Sequence, residues 1–233
     1  MSPNSAFTPG KAKRQTKTVV FSLLALLTLV LAACGQGTGA TTQKNSVLNI
    51  VPSPKGDFTN GFSPYSSSAN YGSQGMMYET LLFFDSLNGS ITPWLAQSYQ
   101  VSSDAKSITF HLRQGVKWSD GQPFTADDVV FTLQDLKQYP TADSNNLWQT
   151  IQSVQATDQS TVVVTLSKAS SPILWYLGGQ TWMLPKHLWS SVGDPTKYAD
   201  DQPVGTGPFM LKSFTPQLID LKKNPNYWQP GKP

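Results

Sequence analysis

Hydrophobic and polar residues alternate along residues 108–113, where three apolar side chains are separated by polar ones. Successive side chains of a strand point to opposite faces, so this spacing predicts a strand with one buried face. A β-branched run at residues 161–166 predicts a second strand, which we expect to pair with residues 151–156 through a turn that contains Asp158. Further short strands are predicted at residues 47–51, 208–214 and 218–223.

Apolar residues at helical spacing predict the longest helix from Thr125 to Gln138. Thr125 is a favourable N-cap, and Asp127 and Asp128 lie in the first turn, where the helix dipole favours acidic side chains. Shorter helices are predicted at residues 74–84, 172–177 and 185–190. Because helices and strands are mixed without strict alternation, the pattern indicates a mixed α/β or α+β fold with at least one mixed sheet.

The first 34 residues have the three-part organisation of a secretory signal. Four positive side chains and no acidic one precede an uncharged apolar run, Val19 to Leu31, and small residues follow it up to Cys34. The apolar stretch up to Ala33 has 15 residues, fewer than the ~20 that a helix needs to span a bilayer. We therefore expect a signal peptide at residues 1–33.

Cys34 is the single cysteine of the chain, so it forms no disulfide within it. Together with Leu31-Ala32-Ala33 it resembles a bacterial lipobox, in which the chain is cut before the cysteine and a lipid is attached to the sulfur. The resemblance implies membrane anchoring through a lipid on Cys34; ordinary secretion and an uncleaved helix are the alternatives. Residues 34–46 are predicted to be a flexible tether, since their Gly, Thr and Gln residues bury little apolar surface.

The formal charge of +3 comes from the four early basic residues. Without them, 13 basic side chains face 14 acidic ones, and no basic stripe remains that would favour a nucleic-acid partner. His111 and His187 are the only histidines, and no catalytic or zinc-binding motif is present. Residues 205–208 lack the lysine of a phosphate loop, so we interpret them as a tight turn between domains. We expect no enzymatic activity, no metal site and no cofactor.

Two segments carry the aromatic and polar side chains that typically line ligand clefts. Residues 52–73 are rich in Pro, Gly, Ser and Asn, with aromatics interspersed, and loops of this length are often functional. The second segment runs from Trp175 to Met183. Packing alone is the alternative for each of the residues that we predict to face a ligand: Asn60, Phe62, Tyr65, Asn70, Tyr71, Trp182 and Met183.

Several strings resemble the family 5 extracellular solute-binding proteins, the receptors of peptide/nickel-type ABC importers. The signature-like string is Phe-His-Leu-Arg-Gln-Gly-Val-Lys-Trp-Ser-Asp-Gly-Gln-Pro-Phe-Thr, residues 110–125. Residues 203–209, followed by Lys-Asn-Pro-Asn-Tyr-Trp at 223–228, are similar to the family's return to its first lobe. Residues 91–99 and 184–189 match further family stretches, and the resemblance covers residues 47–233.

The resemblance implies a periplasmic-binding-protein-like type II clamshell that traps ligand between two lobes and then docks on a permease. Family members are more than twice as long, so it implies that this chain holds an incomplete first lobe, at residues 47–85 and 196–233, and an accessory strand-rich domain at 86–195. The second lobe is expected to be absent and to follow residue 233.

The implied function is the substrate-binding component of an ABC importer, capturing oligopeptides outside the cytoplasmic membrane. The implied partners are permease subunits and the membrane, with the receptor itself a monomer. An oligosaccharide receptor of the cellobiose-binding type is the alternative, because residues 61–65 and 71–79 resemble that subgroup. Nickel or haem is less favoured by a chain with two histidines, and a secreted hydrolase lacks a recognisable nucleophile.

Overall fold

A four-stranded antiparallel sheet lies at the centre of the computed structural model, which describes residues 56–70 and 72–233. The predicted signal peptide, Cys34, the tether, the strand at 47–51 and Tyr71 lie outside the described residues. The described strands, in chain order, are β1 Leu82–Phe84, β2 Ile91–Pro93, β3 Ala96–Val101, β4 Ser107–Leu112, β5 Ile151–Asp158, β6 Thr161–Leu166, β7 Phe209–Thr215 and β8 Leu218–Lys223.

The central sheet has the strand order β3-β4-β6-β5. All strand pairs among the described residues are antiparallel, so the predicted mixed sheet is not found there. The predicted alternation on β4 is confirmed, because Ile108, Phe110 and Leu112 are buried while the residues between them are only partly so. The predicted pairing of residues 151–156 with 161–166 is also confirmed, with Val154 opposite Val164 in the antiparallel register. Val162 and Val164 of β6 therefore pack in the core, while the β-branched residues between and beside them are only partly buried.

The described helices are α1 Ala126–Gln138, α2 Ile173–Gly179 and α3 Lys186–Trp189, with a 3₁₀ turn at Leu147–Gln149. Helix α1 begins after Thr125, whose backbone N–H donates to Asp128 Oδ2 at 2.8 Å. Its apolar face, which includes Val129, Leu133 and Leu136, joins the same hydrophobic core as the central sheet. The capping residues and the apolar stripe thus place α1 on one face of the sheet.

The predicted helix at residues 74–84 is wrong. Residues 72–79 form turns instead, and Leu82–Phe84 is strand β1, which pairs antiparallel with β2. Gly72 and Gly75 adopt φ values of 90° and 83°, which a helix does not contain. Three of the four apolar residues at helical spacing, Met77, Leu81 and Leu82, are still buried. Their spacing therefore indicated burial and not a helix.

Backbone hydrogen bonds from a distant segment explain that failure. The carbonyl oxygen of Met77 accepts from Gly207 N–H at 2.9 Å, and that of Met76 accepts from Phe209 N–H at 3.0 Å. A helix through this segment would need the same carbonyl groups for its own bonds. Tertiary pairing with residues 207–209 therefore replaces the local helix.

A second, smaller core lies beside the first and involves the hairpin β7–β8. Its fully buried members include Phe62 and Tyr78, and Phe62 meets Phe214 of β7 edge to face at 6.1 Å. Both strands of this hairpin were predicted from the sequence and are confirmed. Within residues 56–70 and 72–233, no helix combines the length and apolar character needed to cross a membrane.

Candidate functional site

The loop at residues 58–70 is held in place by backbone groups from late in the chain. Phe58 N–H donates to Pro216 O at 2.6 Å, and Phe62 N–H donates to Ala199 O at 2.7 Å. The buried Ser63 hydroxyl donates to Pro195 O at 2.7 Å. Although the loop is rich in Gly, Pro and Ser, it is therefore fixed against the 195–199 segment and the β7–β8 turn.

The structure brings together the two segments in which we predicted ligand contacts. The Tyr65 hydroxyl donates to the Trp182 carbonyl oxygen at 2.7 Å, across 117 residues of sequence. Both side chains are half-buried, so each keeps part of its aromatic surface accessible. Burial raises the pKa of the Tyr65 hydroxyl well above its usual value, so this hydroxyl stays a donor at neutral pH.

The other predicted residues have different environments. Asn60 is exposed. Asn70 is buried, and its side-chain amide donates to the Thr59 carbonyl oxygen, which shapes the loop. Phe62 and Met183 have no exposed surface and pack in the two hydrophobic cores, so in this structure they hold the loop and the 182–183 segment in place and do not face solvent.

A shallow surface depression of about 520 Å³ lies at residues 191–198. No residue of the 58–70 loop lines it, so it is separate from the predicted ligand contacts. Its lining residues are Ser191, Val192, Gly193, Asp194, Lys197 and Tyr198.

A buried carboxylate that we did not predict lies among aromatic side chains. Glu79 Oε1 accepts from Trp94 Nε1 at 2.7 Å and from the Tyr227 hydroxyl at 3.3 Å. Its Oε2 accepts from Trp228 Nε1 at 3.1 Å. Desolvation raises the pKa of Glu79 to about 7, an increase that these hydrogen bonds reduce only in part.

A signal for this cluster was present in the sequence. Glu79 is a single acidic residue in an otherwise largely apolar stretch, residues 76–84. An acidic side chain buried by such neighbours requires donors, and tryptophan N–H groups are donors only. The pattern predicts that Glu79 has partners, but nothing local identifies them as residues 94, 227 and 228.

The segment Gly205-Thr206-Gly207 passes directly over the backbone of Met76 and Met77. Gly205 O accepts from Ser119 N–H at 2.9 Å, and a side-chain carbon added to Gly205 would lie 1.8 Å from Met77 O. Strand β7 follows, whereas a phosphate loop opens a helix. The segment is thus a closely packed crossing, in agreement with its interpretation as a tight turn.

Within residues 56–70 and 72–233, no group of three or more His, Cys, Asp or Glu side chains is arranged to bind a metal ion. The two histidines lie apart. His187 Nε2 is 2.7 Å from Asp120 Oδ2 at the surface, and His111 Nδ1 is 3.5 Å from the Thr161 hydroxyl. These contacts are those of surface polar side chains.

We expect the free energy of unfolding to decrease as pH rises from about 4 to 7. Burial raises the pKa of Glu79 to about 7 and the pKa values of Asp135 and Asp200 to about 6, so the folded chain holds protons that the unfolded chain has released. The melting temperature should be higher at pH 5 than at pH 8 in scanning calorimetry. A melting temperature that is constant or rises over this interval would show that these carboxyl groups titrate normally.

Comparison with known proteins gives the family. The model of the bacterial extracellular solute-binding proteins, family 5 (middle), matches residues 90–233. Heme-binding protein A of Haemophilus influenzae is 33% identical over 239 aligned residues, which cover 88% of this chain and 43% of that protein. The dipeptide-binding protein of Escherichia coli K12 is 31% identical over 194 residues, which cover 72% of this chain and 36% of that protein.

A solved structure shows the same fold. The periplasmic oligopeptide-binding protein of an oligopeptide ABC transporter from Thermotoga maritima, with mannohexaose bound, is 31% identical, with a TM-score of 0.68 over 77% of this chain and 33% of that one. The predicted mixed α/β fold of the type II periplasmic binding proteins is thereby confirmed for the described residues. The chain spans less than half the length of the relatives that it matches. It belongs to family 5 of the bacterial extracellular solute-binding proteins.

Proposed function

We propose that the protein captures oligopeptides outside the cytoplasmic membrane and delivers them to the permease of an ABC importer. The observation that carries the proposal is the family match over residues 90–233, together with a dipeptide-binding relative and an oligopeptide-binding structural neighbour. The members of this family are solute-binding proteins, and the family is not one of enzymes. The receptor's role is therefore recognition and delivery, without chemical change to the ligand.

We propose a division into a first lobe, residues 47–85 and 196–233, and an accessory domain, residues 86–195. The second hydrophobic core gives this division partial support, because it includes Phe62 and Tyr78 together with residues of β7 and β8. Leu184 and Trp189 of the proposed accessory domain belong to the same core. The first core includes the central sheet and α1. The boundary is not sharp, since β1 of the proposed lobe pairs with β2 of the proposed accessory domain.

We place the ligand at the surface formed by residues 58–70 and the Tyr65–Trp182 contact. Partly exposed aromatic faces beside backbone groups suit a peptide, since they accommodate varied side chains while polar groups fix the backbone. Asn60, Tyr65, Tyr71 and Trp182 are the proposed contacts, and Asn70 maintains the loop conformation.

An oligosaccharide ligand is the second candidate. The supporting observation is that the Thermotoga maritima neighbour, described as oligopeptide-binding, was solved with mannohexaose bound. Aromatic faces such as those of Tyr65 and Trp182 stack on sugar rings as well as on peptide side chains. Direct comparison of the two ligand classes is therefore the necessary test.

A thermal-shift panel on the full-length protein, including any sequence encoded beyond residue 233, separates these candidates. A ligand that binds the folded state stabilises it by RT ln(1 + [L]/Kd), or about 2.7 kcal/mol at a hundredfold excess over Kd. We expect di- to pentapeptides to raise the melting temperature. If cello- or manno-oligosaccharides alone raise it, the ligand is a sugar; if neither class does, the proposal is refuted.

Replacement of Trp182 tests the site itself. Trp182→Ala should weaken peptide binding by roughly fivefold or more in a titration, since an aromatic contact contributes about 1 kcal/mol or more. Trp148→Ala is a matched control, because Trp148 is also half-buried but hydrogen-bonds to Leu133 O at 2.7 Å and was not predicted to contact ligand. Equal affinity of the Trp182 variant and the wild type would remove this residue from the site.

We further propose that the mature protein begins at a lipid-modified Cys34 and is tethered to the outer face of the cytoplasmic membrane. The proposal is supported by the lipobox-like residues 31–34 and by the extracellular family. Mass spectrometry of the mature N-terminus tests it directly. An unmodified Cys34, or a mature chain that begins elsewhere, would refute it.

A further inference from the structure

Glu79 connects parts of the chain that are distant in sequence. Its three hydrogen-bond donors are Trp94, at the junction of β2 and β3, and Tyr227 and Trp228, in the segment after β8. Tyr227 and Trp228 are 148 and 149 residues away from Glu79. The carboxylate is therefore one attachment of the 224–228 segment to residues 79–96, beside the edge-to-face contact of Trp94 with Trp228. Asn224 and Asn226 bind the segment to Gly207 O and Ser119 O.

The donors to Glu79 are neutral, so they stabilise a negative charge only through hydrogen bonds and none of them neutralises it. Two are indole N–H groups and one is a phenol, and Glu79 is only 2% exposed. Among the described residues, no Lys, Arg or His forms an ion pair with Glu79. A buried carboxylate without a cationic partner is costly when ionised and much less so when protonated.

The charged group in this cluster is Arg113, directly after β4, and it contacts the two tryptophans and not the Glu79 carboxylate. Its guanidinium carbon lies 4.4 Å from the centre of the Trp228 ring, and its Nε donates to Trp94 O at 3.1 Å. Arg113 thus holds the two indoles in place through the ring face and the backbone. Tyr227 is the other titratable group facing Glu79, and burial raises its pKa above the physiological range.

We propose that Glu79 is a proton-sensitive latch, which keeps the 224–228 segment attached while it is protonated and lets the segment detach more readily once it is ionised. When the segment opens, water reaches the carboxylate and the charge is solvated. Ionisation therefore favours the open form. The device is independent of which ligand the protein binds.

The pKa of Glu79 supports the direction of this coupling. Burial raises it to about 7 from an ordinary 4.5, so the closed cluster prefers the protonated acid. If Glu79 has its ordinary pKa in the open form, the opening equilibrium constant increases by roughly 300-fold as pH rises from below 4.5 to above 7. The change falls mainly in the interval between these two values.

Hydrogen exchange of tryptophan indole N–H groups, followed by ¹H–¹⁵N NMR on the full chain, measures this opening. We expect the protection factors of Trp94 and Trp228 to fall together by roughly 70-fold between pH 5 and pH 8. Trp148 is the internal control, because its indole donates to a backbone carbonyl that does not titrate. Its protection factor should change little.

Two variants complete the test. Glu79→Gln, which is neutral at every pH, should make the protection of Trp94 and Trp228 independent of pH. Tyr227→Phe removes a donor that favours the ionised acid, so the midpoint of the wild-type profile should move to higher pH. The proposal is overturned if Trp94 and Trp228 follow Trp148 in the wild type, or if Glu79→Gln retains the wild-type profile. If Glu79→Gln does not fold, the wild-type profile and the Tyr227→Phe shift decide the matter.

Discussion

Replacing Gly205 with alanine should prevent the chain from folding, or lower its free energy of unfolding by about 4 kcal/mol or more. The added carbon would lie 1.8 Å from the carbonyl oxygen of Met77 and 2.5 Å from its carbonyl carbon. Both atoms belong to the backbone and have no alternative rotamer. Relief of the clash would separate residues 205–209 from Met76 and Met77 and break the hydrogen bonds between them.

Chemical denaturation followed by circular dichroism measures the loss. Gly193→Ala is the matched control, because Gly193 is exposed and an added carbon there would meet its nearest neighbour at 3.9 Å. That variant should stay within about 0.5 kcal/mol of the wild type. If the Gly205→Ala protein is as stable as the Gly193→Ala protein, residues 205–207 do not pass as closely over the Met76–Met77 backbone as the structure shows. Gly207→Ala should behave like Gly205→Ala, since its added carbon would lie 2.3 Å from Met76 O.

Asp128→Ala should lower the free energy of unfolding by about 3 kcal/mol or more, because it leaves several donors without an acceptor. Asp128 accepts from Thr125 N–H at 2.8 Å, from Lys186 N–H at 2.9 Å and from Trp118 Nε1 at 3.4 Å. One carboxylate thus caps α1, binds the start of α3 and contacts the buried Trp118. Each unsatisfied buried donor costs about 1–3 kcal/mol.

The neighbouring acid provides the control for that measurement. Asp127 is exposed, and its pair with Lys186 Nζ at 2.9 Å is a surface ion pair. Asp127→Ala should cost less than about 1 kcal/mol. If both variants lose the same free energy of unfolding, Asp128 stabilises α1 only through its charge in the first turn and not through its hydrogen bonds. Asp128→Asn should give an intermediate loss, since an amide keeps one acceptor oxygen.

Strands β4–β6 and helix α1 were predictable because their signals are local. On β4 and β6 the side chains alternate between buried and partly buried, and α1 has a cap, acidic first turn and apolar stripe. Residues 74–84 carried an equally clear apolar period but lack a helix. The competing partner, residues 207–209, lies more than a hundred residues away in sequence, and no local pattern reports it.

The candidate site divides in the same way. The sequence identified both segments that meet at the Tyr65–Trp182 contact, because each combines aromatic and polar residues in an irregular stretch. It did not distinguish Tyr65 from Phe62, three positions away in the same loop. Phe62 is fully buried against Phe214 while Tyr65 is half-buried, a difference set by how late residues anchor the loop.

The Glu79 cluster shows the same limit. An acid among apolar neighbours indicates a need for partners, but the Trp-Tyr set that supplies them is assembled only when the segment after β8 returns to the β2–β3 junction. The family-like string Asn-Pro-Asn-Tyr-Trp at residues 224–228 therefore has a definite structural role here. Asn224 reinforces it, as its side-chain amide donates to Gly207 O at 2.8 Å.

Isothermal titration calorimetry of the full-length protein with defined peptides measures peptide recognition without a structural probe. If the protein is a peptide receptor, tri- to pentapeptides should give saturable heats, with one site and a Kd in the micromolar range or below. Cello- and manno-oligosaccharides at the same concentrations should give only heats of dilution. Saturable binding of an oligosaccharide without any binding of peptides would refute the proposed peptide receptor and show that the ligand is a sugar.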